Sequence, residues 1–313
     1  MKILWFADPH LRGKNPIHRK DNFYESIMLK LKEVFDIAKK ENVDYIICGG
    51  DMFHSPIVSL NICDDFIDLV EKCGIKSKFL IGNHDMFNCN WVVSSSTTLA
   101  HCFRRSALIT HLDEMETEDT YIKGVDYGFN VEDNLTKDLF VNEKLDKNKT
   151  NILAVHAMVI EKPLPAQVAH IVYKEVKSNY DYILVGHNHN DLGVQQVGNT
   201  KIVGIGAICR LTISKNDCER IPKVLILDTK TKKEKIIELS SVKSKEEVFD
   251  FEKIKEMKKF DNNIEKFISS LDSAKVKGLN IRGVIKNICK ENNTEQDVVN
   301  CVLDRIGEYE DKN

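Results

Sequence analysis

The chain has 313 residues, 42% hydrophobic and 30% charged, which is enough material for one or two domains with a sizeable buried core. That composition excludes collagen-like, disordered and disulfide-scaffold classes, and no apolar run approaches the ~18 residues of a bilayer-spanning helix. A formal net charge of −3 gives no global electrostatic case for nucleic acid, so any basic surface must be local.

Taken in chain order, Lys2 to Ala7 is a short apolar run that meets Asp8 and His10 at once. It is too short for a signal peptide, and a cytoplasmic chain is expected. Phe23, Ile27, Leu31, Val34 and Ala38 follow at helical spacing, then Tyr45 to Cys48 as a strand. Cys63, Phe66, Ile67 and Val70 mark a second helix and Lys78 to Ile81 a third strand. Strand and helix in alternation imply parallel strands joined by crossovers, which bind ligands beyond their carboxyl ends. Ile122 to Val125, Ile152 to Val155 and Tyr182 to Val185 read as further strands, with a helix predicted around Val168 to Val176. Beyond Gly186, four short runs read as antiparallel hairpin strands of a second sheet packed on the first: Leu192 to Val197, Lys201 to Gly204, Lys223 to Asp228 and Lys233 to Leu239. The charge-rich stretch Ser240 to Glu247 reads as a linker. Everything after it looks helical, from Ile254, Met257, Ile264, Phe267 and Leu271, through Ile281 to Ile288, to a capping box at Thr294 and Asp297. Nine cysteines, an odd number with no Cys-x-x-Cys pair, read as reduced and mostly buried thiols.

The strand-end loops collect an unusual set of side chains. They are Asp8-Pro9-His10, Gly49-Gly50-Asp51-Met52-Phe53-His54, Gly82-Asn83-His84-Asp85, His156, and Gly186-His187-Asn188-His189, which together hold six of the ten histidines. Carboxylate, imidazole and amide oxygen are ligands of borderline divalent metals. Asp8, His10, Asp51, Asn83, His156, His187 and His189 are too many for one tetrahedral ion and suit two ions sharing a carboxylate, the arrangement that clamps a phosphoryl group during in-line displacement. Gly49, Gly50, Gly82 and Gly186 would let the backbone approach such a cluster. Singly, an Asp-x-His or a Gly-Asn-His-Asp is more often a turn; the ordered conjunction of five elements is what is specific.

In that order the motifs resemble the signature of the calcineurin-like metallophosphoesterases, over about residues 1 to 240. The resemblance implies a four-layer α/β sandwich of two mixed sheets flanked by helices, followed by a short helical C-terminal region from 241 to 313. It also implies two divalent ions, Mn foremost, with Fe, Zn or Mg as alternatives. One ion would take Asp8, His10, Asp51 and His189, the other Asp51, Asn83, His156 and His187, with His84 facing the leaving group. A finer likeness, carried by Gly50-Asp51-Met52-Phe53-His54 and by Gly204-Ile205-Gly206-Ala207 with Arg210 and Pro222-Lys223-Val224, is to the SbcD nucleases. Ala207 stands where that family usually has Ser. This likeness implies a DNA exonuclease or endonuclease in a repair complex, a phosphate-contacting role for His54, an SbcC-type ATPase partner docked by C-terminal helices that carry a reduced or missing DNA cap, with packing of those helices on the core as the alternative, and a homodimer for which the Cys63 to Val70 stripe could serve. DNA contact is expected from the loop carrying Arg12, Lys14, His18, Arg19 and Lys20, with Arg104, Arg105 and Arg210 as weaker candidates; Arg210 could equally pair with Asp217 or Glu219. The competing expectations are a nucleotide or cyclic-nucleotide phosphodiesterase, a protein phosphatase, and a scaffold with a decayed site, against which every inferred ligand is present.

Overall fold

The computed structural model describes residues 1–88, 95–128, 131–134, 140–165 and 167–253. The expected helices beyond Ile254, and Cys89, Cys289 and Cys301, lie outside the described residues. Two six-stranded mixed sheets form the fold. In the first, β1 (Lys2–Phe6), β2 (Tyr45–Cys48), β3 (Ser77–Phe79) and β4 (Ile109–His111) run parallel, and β13 (Lys223–Asp228) and β14 (Lys233–Glu238) add an antiparallel hairpin beside β1. The second repeats the plan. There β6 (Thr120–Val125), β7 (Thr150–Ala157), β10 (Tyr182–His187) and β12 (Thr200–Gly204) are parallel, with β5 (Glu114–Glu116) and β11 (Gly193–Val197) antiparallel at the rims.

Side-chain alternation along β1 shows why the sheets stack. Leu4 and Phe6 point into the cluster beneath α1 (Phe23–Lys40) and α2 (Leu60–Cys73), while Ile3 and Trp5 point the other way. There they meet Ile47, Leu225 and Leu227 of their own sheet and Ile152, Ala154, Tyr182 and Leu184 of the second. A third cluster, with Leu153, Val155, Ile183 and Val185, covers the outer face of the second sheet. Strands buried on both faces read as continuous apolar runs, which is how β1, β2, β7 and β10 are written.

Two expectations are corrected here. The Lys223 to Asp228 and Lys233 to Leu239 runs form a hairpin, but in the first sheet, because Leu225 and Leu227 fill the space under Ile3 and Trp5. The stretch around Val168 to Val176 is not a helix. Ile171–Val172 is a short strand, β9, paired with β8 (Val159–Ile160), and Tyr173–Glu175 is one 3-10 turn. Consecutive β-branched residues there favour an extended backbone. The first compact unit runs Met1–Phe249. Within it, Glu33 accepts from the Ser240 and Ser241 backbone, Ser244 caps the short helix α3 (Lys245–Val248), and Val248 and Phe249 are buried. No helix among the described residues is long and apolar enough to cross a membrane.

Among the described residues, Lys30 and Ser26 of α1 are polar and buried inside the helical layer. Lys30 of α1 is buried with its Nζ 3.0 Å from Ser26 Oγ. Burial, with Arg19 and Arg210 adding to it, pushes its ammonium down to about 7 from an ordinary 10.5. Between those values the unfolded chain binds the extra proton, so the penalty is full below pH 7 and fades as pH rises toward 10.5. We expect Lys30→Met to stabilise the protein by roughly 1–3 kcal/mol at pH 7 and much less at pH 10. Urea denaturation at the two pH values measures this, and an equal gain at both would contradict it.

Candidate metal centre

The carboxyl ends of β1, β2, β3, β7 and β10 meet at one rim. Pairing between β1 and β2 continues past both strands: the Asp8 N–H donates to Gly50 O (3.2 Å), His10 to Asp51 O (3.0 Å) and Leu11 to Met52 O (2.9 Å). It continues through backbone that ordinary residues avoid. Asp8 (φ 53°), His10 (φ 49°), Asp51 (φ 50°) and His187 (φ 79°) are all left-handed, four of the seven such non-glycine residues described. Each costs of order ~1–3 kcal/mol and persists only where its surroundings over-determine it. Close approach also explains two glycines. A Cβ on Gly82 would fall inside the Asp51 carboxylate, and Gly50, at φ 99°, lies flat against the His156 ring.

Asp51 is the hub. One carboxylate oxygen, Oδ1, accepts from the His84 N–H at 2.8 Å; the other, Oδ2, lies 3.5 Å from His10 Nε2 and 3.5 Å from His156 Nε2. His156 donates through Nδ1 to Gly49 O (2.6 Å), which leaves Nε2 to face Asp51 and, at 3.3 Å, Asn83 Oδ1. His10 Nε2 faces His189 Nε2 at 3.0 Å. The Asp8 carboxylate accepts from the His187 N–H at 3.1 Å through both oxygens. Ligand atoms of Asp8, His10 and Asp51 lie within 4.8 Å of one another, as do those of Asp51, His156 and His187. All seven predicted ligands therefore come together, in two overlapping groups that share Asp51.

Electrostatics prepare these groups to be ligands. Burial drives the His10 imidazole well below its ordinary value, His187 to about 3 and His189 to about 4. Their lone pairs are thus free at neutral pH. Burial pushes the Asp8 carboxyl up, with Asp51 adding to the rise. Burial opposes the Asp51 charge too, but His156 and His10 hold that carboxyl far below the usual range. His156, against its desolvation, is raised to about 9 by Asp51 and Asp8. Its Nε2 points at two acceptor oxygens, and only a proton or a cation satisfies three converging acceptors. The donor set and its convergence fit divalent cations.

A family model described as calcineurin-like phosphoesterase matches residues 1–191, which contain every one of these candidate ligands. The chain is a calcineurin-like phosphoesterase. Among curated relatives, this phosphoesterase is 25% identical over 206 residues to an uncharacterized metallophosphoesterase, YhaO, of Bacillus subtilis, covering 60% of this chain and 48% of that one. It is 24% identical over 258 residues to the double-strand break repair protein MRE11 of Encephalitozoon cuniculi, covering 69% of this chain and 43% of that one. The chain thus spans under half the length of either relative. Among solved structures, TT1561 of Thermus thermophilus is similar over 76% of this chain and 98% of its own, with 13% identity and a TM-score of 0.46.

Around the ligands the phosphoesterase places several residues that sequence reasoning left without a role. Asp85 is buried and accepts from the Phe53 (3.0 Å), Gly82 (3.0 Å) and Met52 (3.2 Å) N–H groups, clamping the loop that carries Asp51 to the loop that carries Asn83 and His84. Its place in Gly-Asn-His-Asp was the available signal. An Asp85→Asn side chain has one acceptor oxygen for three donors and an amide facing N–H groups. We expect it to cost about 2–4 kcal/mol of stability and most of the metal affinity, read by thermal melts with and without Mn2+. Cys209 Sγ lies within 4.8 Å of the ring nitrogens of His10 and His189, and the Tyr127 ring is 5.3 Å from that of His187. Neither carries a motif.

The predicted surface contacts divide. His54 is half-buried, with Nδ1 3.4 Å from His10 Nδ1, its ring stacked 5.0 Å from that of His84, and its carbonyl accepting from His84 Nδ1 at 2.8 Å. Lys14 and Lys20 are exposed, and the Arg12 guanidinium lies over the Phe23 ring. Arg19 does not reach the surface. Its guanidinium is buried, pairs with Asp21 at 2.7 Å and donates to Arg210 O, so it holds the loop rather than a ligand. Arg210 is buried too, donating to Lys243 O, and the expected partner Asp217 pairs instead with Arg220 at 3.0 Å. Arg220 also donates to the carbonyls of Ala207 and Cys209, bracing the turn that follows β12 against the centre.

Proposed function

We propose that this phosphoesterase hydrolyses phosphodiesters in DNA with two divalent ions, Mn foremost, one held by Asp8, His10, Asp51 and His189 and the other by Asp51, Asn83, His156 and His187. The observation that carries the two-ion reading is the convergence of both donor groups on Asp51 Oδ2, 3.5 Å from a ring nitrogen on either side. The relative named as a double-strand break repair protein supports DNA as the substrate. Two divalent ions supply Lewis acidity toward the phosphoryl oxygens and lower the pKa of an attacking water.

The chain's own groups do the rest. His84 Nδ1 donates to the His54 carbonyl at 2.8 Å, which fixes the ring with Nε2 toward the departing sugar oxygen, where a proton on Nε2 would assist its departure. His54 fixes the rings of His10 and His84 and, half-exposed beside Arg12, contacts the phosphate. Arg12, Lys14 and Lys20 contact flanking phosphates, whose role is to position rather than to read sequence. The region from 241 to 313 docks an SbcC-type ATPase. End-labelled linear DNA incubated with Mn2+ and the protein, with and without such a partner, tests the reading. Metal-dependent shortening of the strand is expected; cleavage of bis-p-nitrophenyl phosphate without any cleavage of DNA under either condition would refute the substrate.

A further inference from the structure

Against the candidate metal centre lies a cleft of about 660 Å3, within the range of small-molecule sites, whose lining includes His187 and His189. Its walls are Met158 and Ile160 from the end of β7 and from β8, Leu192 ahead of β11, and Leu164. Leu164 is 41% exposed, a large apolar side chain presented to solvent beside two imidazole ligands. The loop that presents it is braced: the Leu164 N–H donates to His170 Nε2 (3.2 Å), and His170 Nδ1 donates to Val168 O (2.6 Å). The floor is tied as well, since Asn188 Nδ2 donates to Val159 O (2.7 Å) while its Oδ1 accepts from the Asn190 N–H (3.0 Å).

Charge narrows what the cleft can take. Asp191 is paired with Lys223 at 2.5 Å, and the rim carries one residue of each sign, Glu161 and Lys162. A near-neutral cleft gives no attraction to a second phosphate, and its apolar walls favour a flat, uncharged ring with polar edges. A ring joined to a phosphate at the histidine end has the reach to enter it.

We propose that this cleft is a nucleobase subsite, in which the base of the nucleotide carrying the scissile phosphate lies against Leu164 and Met158 between Ile160 and Leu192. The proposal rests on the phosphodiesterase reading for the source of the nucleotide, and it makes the side of the centre bearing His187 the nucleoside side. The flanking phosphate on the other side of the scissile one then follows the Arg12 loop.

Calorimetric titration of the full Mn2+-loaded chain with thymidine 5′-monophosphate and with 2-deoxyribose 5-phosphate separates the base from the phosphate. The nucleotide is expected to bind at least about tenfold more tightly, and in Leu164→Asp that ratio should shrink to within about twofold. Leu164 is on an exposed loop, so the variant is expected to fold, and a ratio cancels any general repulsion of anions by the new carboxylate. Equal affinities for the two ligands, or a tenfold ratio undiminished in Leu164→Asp, would overturn the subsite. A base-dependent ratio lost in Leu164→Asp, in a protein that cleaves no DNA, would sustain the subsite and refute the DNA substrate alone.

Discussion

Asp51→Asn is expected to abolish metal-dependent hydrolysis, lowering kcat/KM on bis-p-nitrophenyl phosphate by roughly 10³-fold or more. The substitution keeps the shape and removes the charge at the point where both donor groups meet. It also places an amide NH2 against either the His84 N–H, now 2.8 Å from Oδ1, or the two ring nitrogens 3.5 Å from Oδ2. Either orientation leaves donors facing donors or ions without their shared ligand. Metal analysis of the dialysed protein should show the content falling with activity. A variant that keeps full metal content and wild-type rate would show that Asp51 is not the hub.

His84→Ala is expected to have the second largest effect, but of a different kind. The side chain contributes no ligand to either group, and the backbone N–H that supports Asp51 survives the substitution. Metal content should therefore be unchanged while the rate falls by about 10²–10⁴-fold, the usual contribution of a positioned acid. The loss should depend on the leaving group. An alkoxide departs poorly without a proton, whereas p-nitrophenolate departs readily, so the deficit on a deoxyribose diester should exceed that on a nitrophenyl diester by at least about tenfold. Equal deficits on the two would remove His84 from the leaving-group side and leave it a phosphate contact.

The contrast between these two residues reflects what a sequence can show. The residues that converge at the rim were legible as candidate ligands because such a cluster at strand ends is written in a short alphabet, Asp, His and Asn, directly after runs such as Lys2 to Phe6 and Tyr182 to Val185. The parallel order of β1 to β3 followed from the crossover helices for the same reason, periodicity being local, whereas the short strand β4 carries too few apolar residues to be read. What was not legible depended on partners distant in the chain. Arg19 looks like a surface cation until Asp21 and the Arg210 carbonyl, 191 residues away, enclose it. The identity of the arginine that pairs with Asp217 was missed because Arg210 and Arg220 are equivalent in sequence, and only the turn at Ala207 to Cys209 decides between them. Val168 to Val176 carries helix-compatible spacing, but β8 supplies an edge that the isolated stretch cannot reveal. The β13–β14 hairpin joined the first sheet because the face of Leu225 and Leu227 complements that of Ile3 and Trp5, a match made across more than 200 residues.

The proposed centre is two cations sharing one carboxylate. Anomalous diffraction from crystals grown with Mn2+, recorded above and below the manganese edge, tests it most directly. Two peaks are predicted, one bounded by Asp8, His10 and His189, the other by Asn83, His156 and His187, with Asp51 between them. A single peak, or two peaks that do not share Asp51, would contradict it.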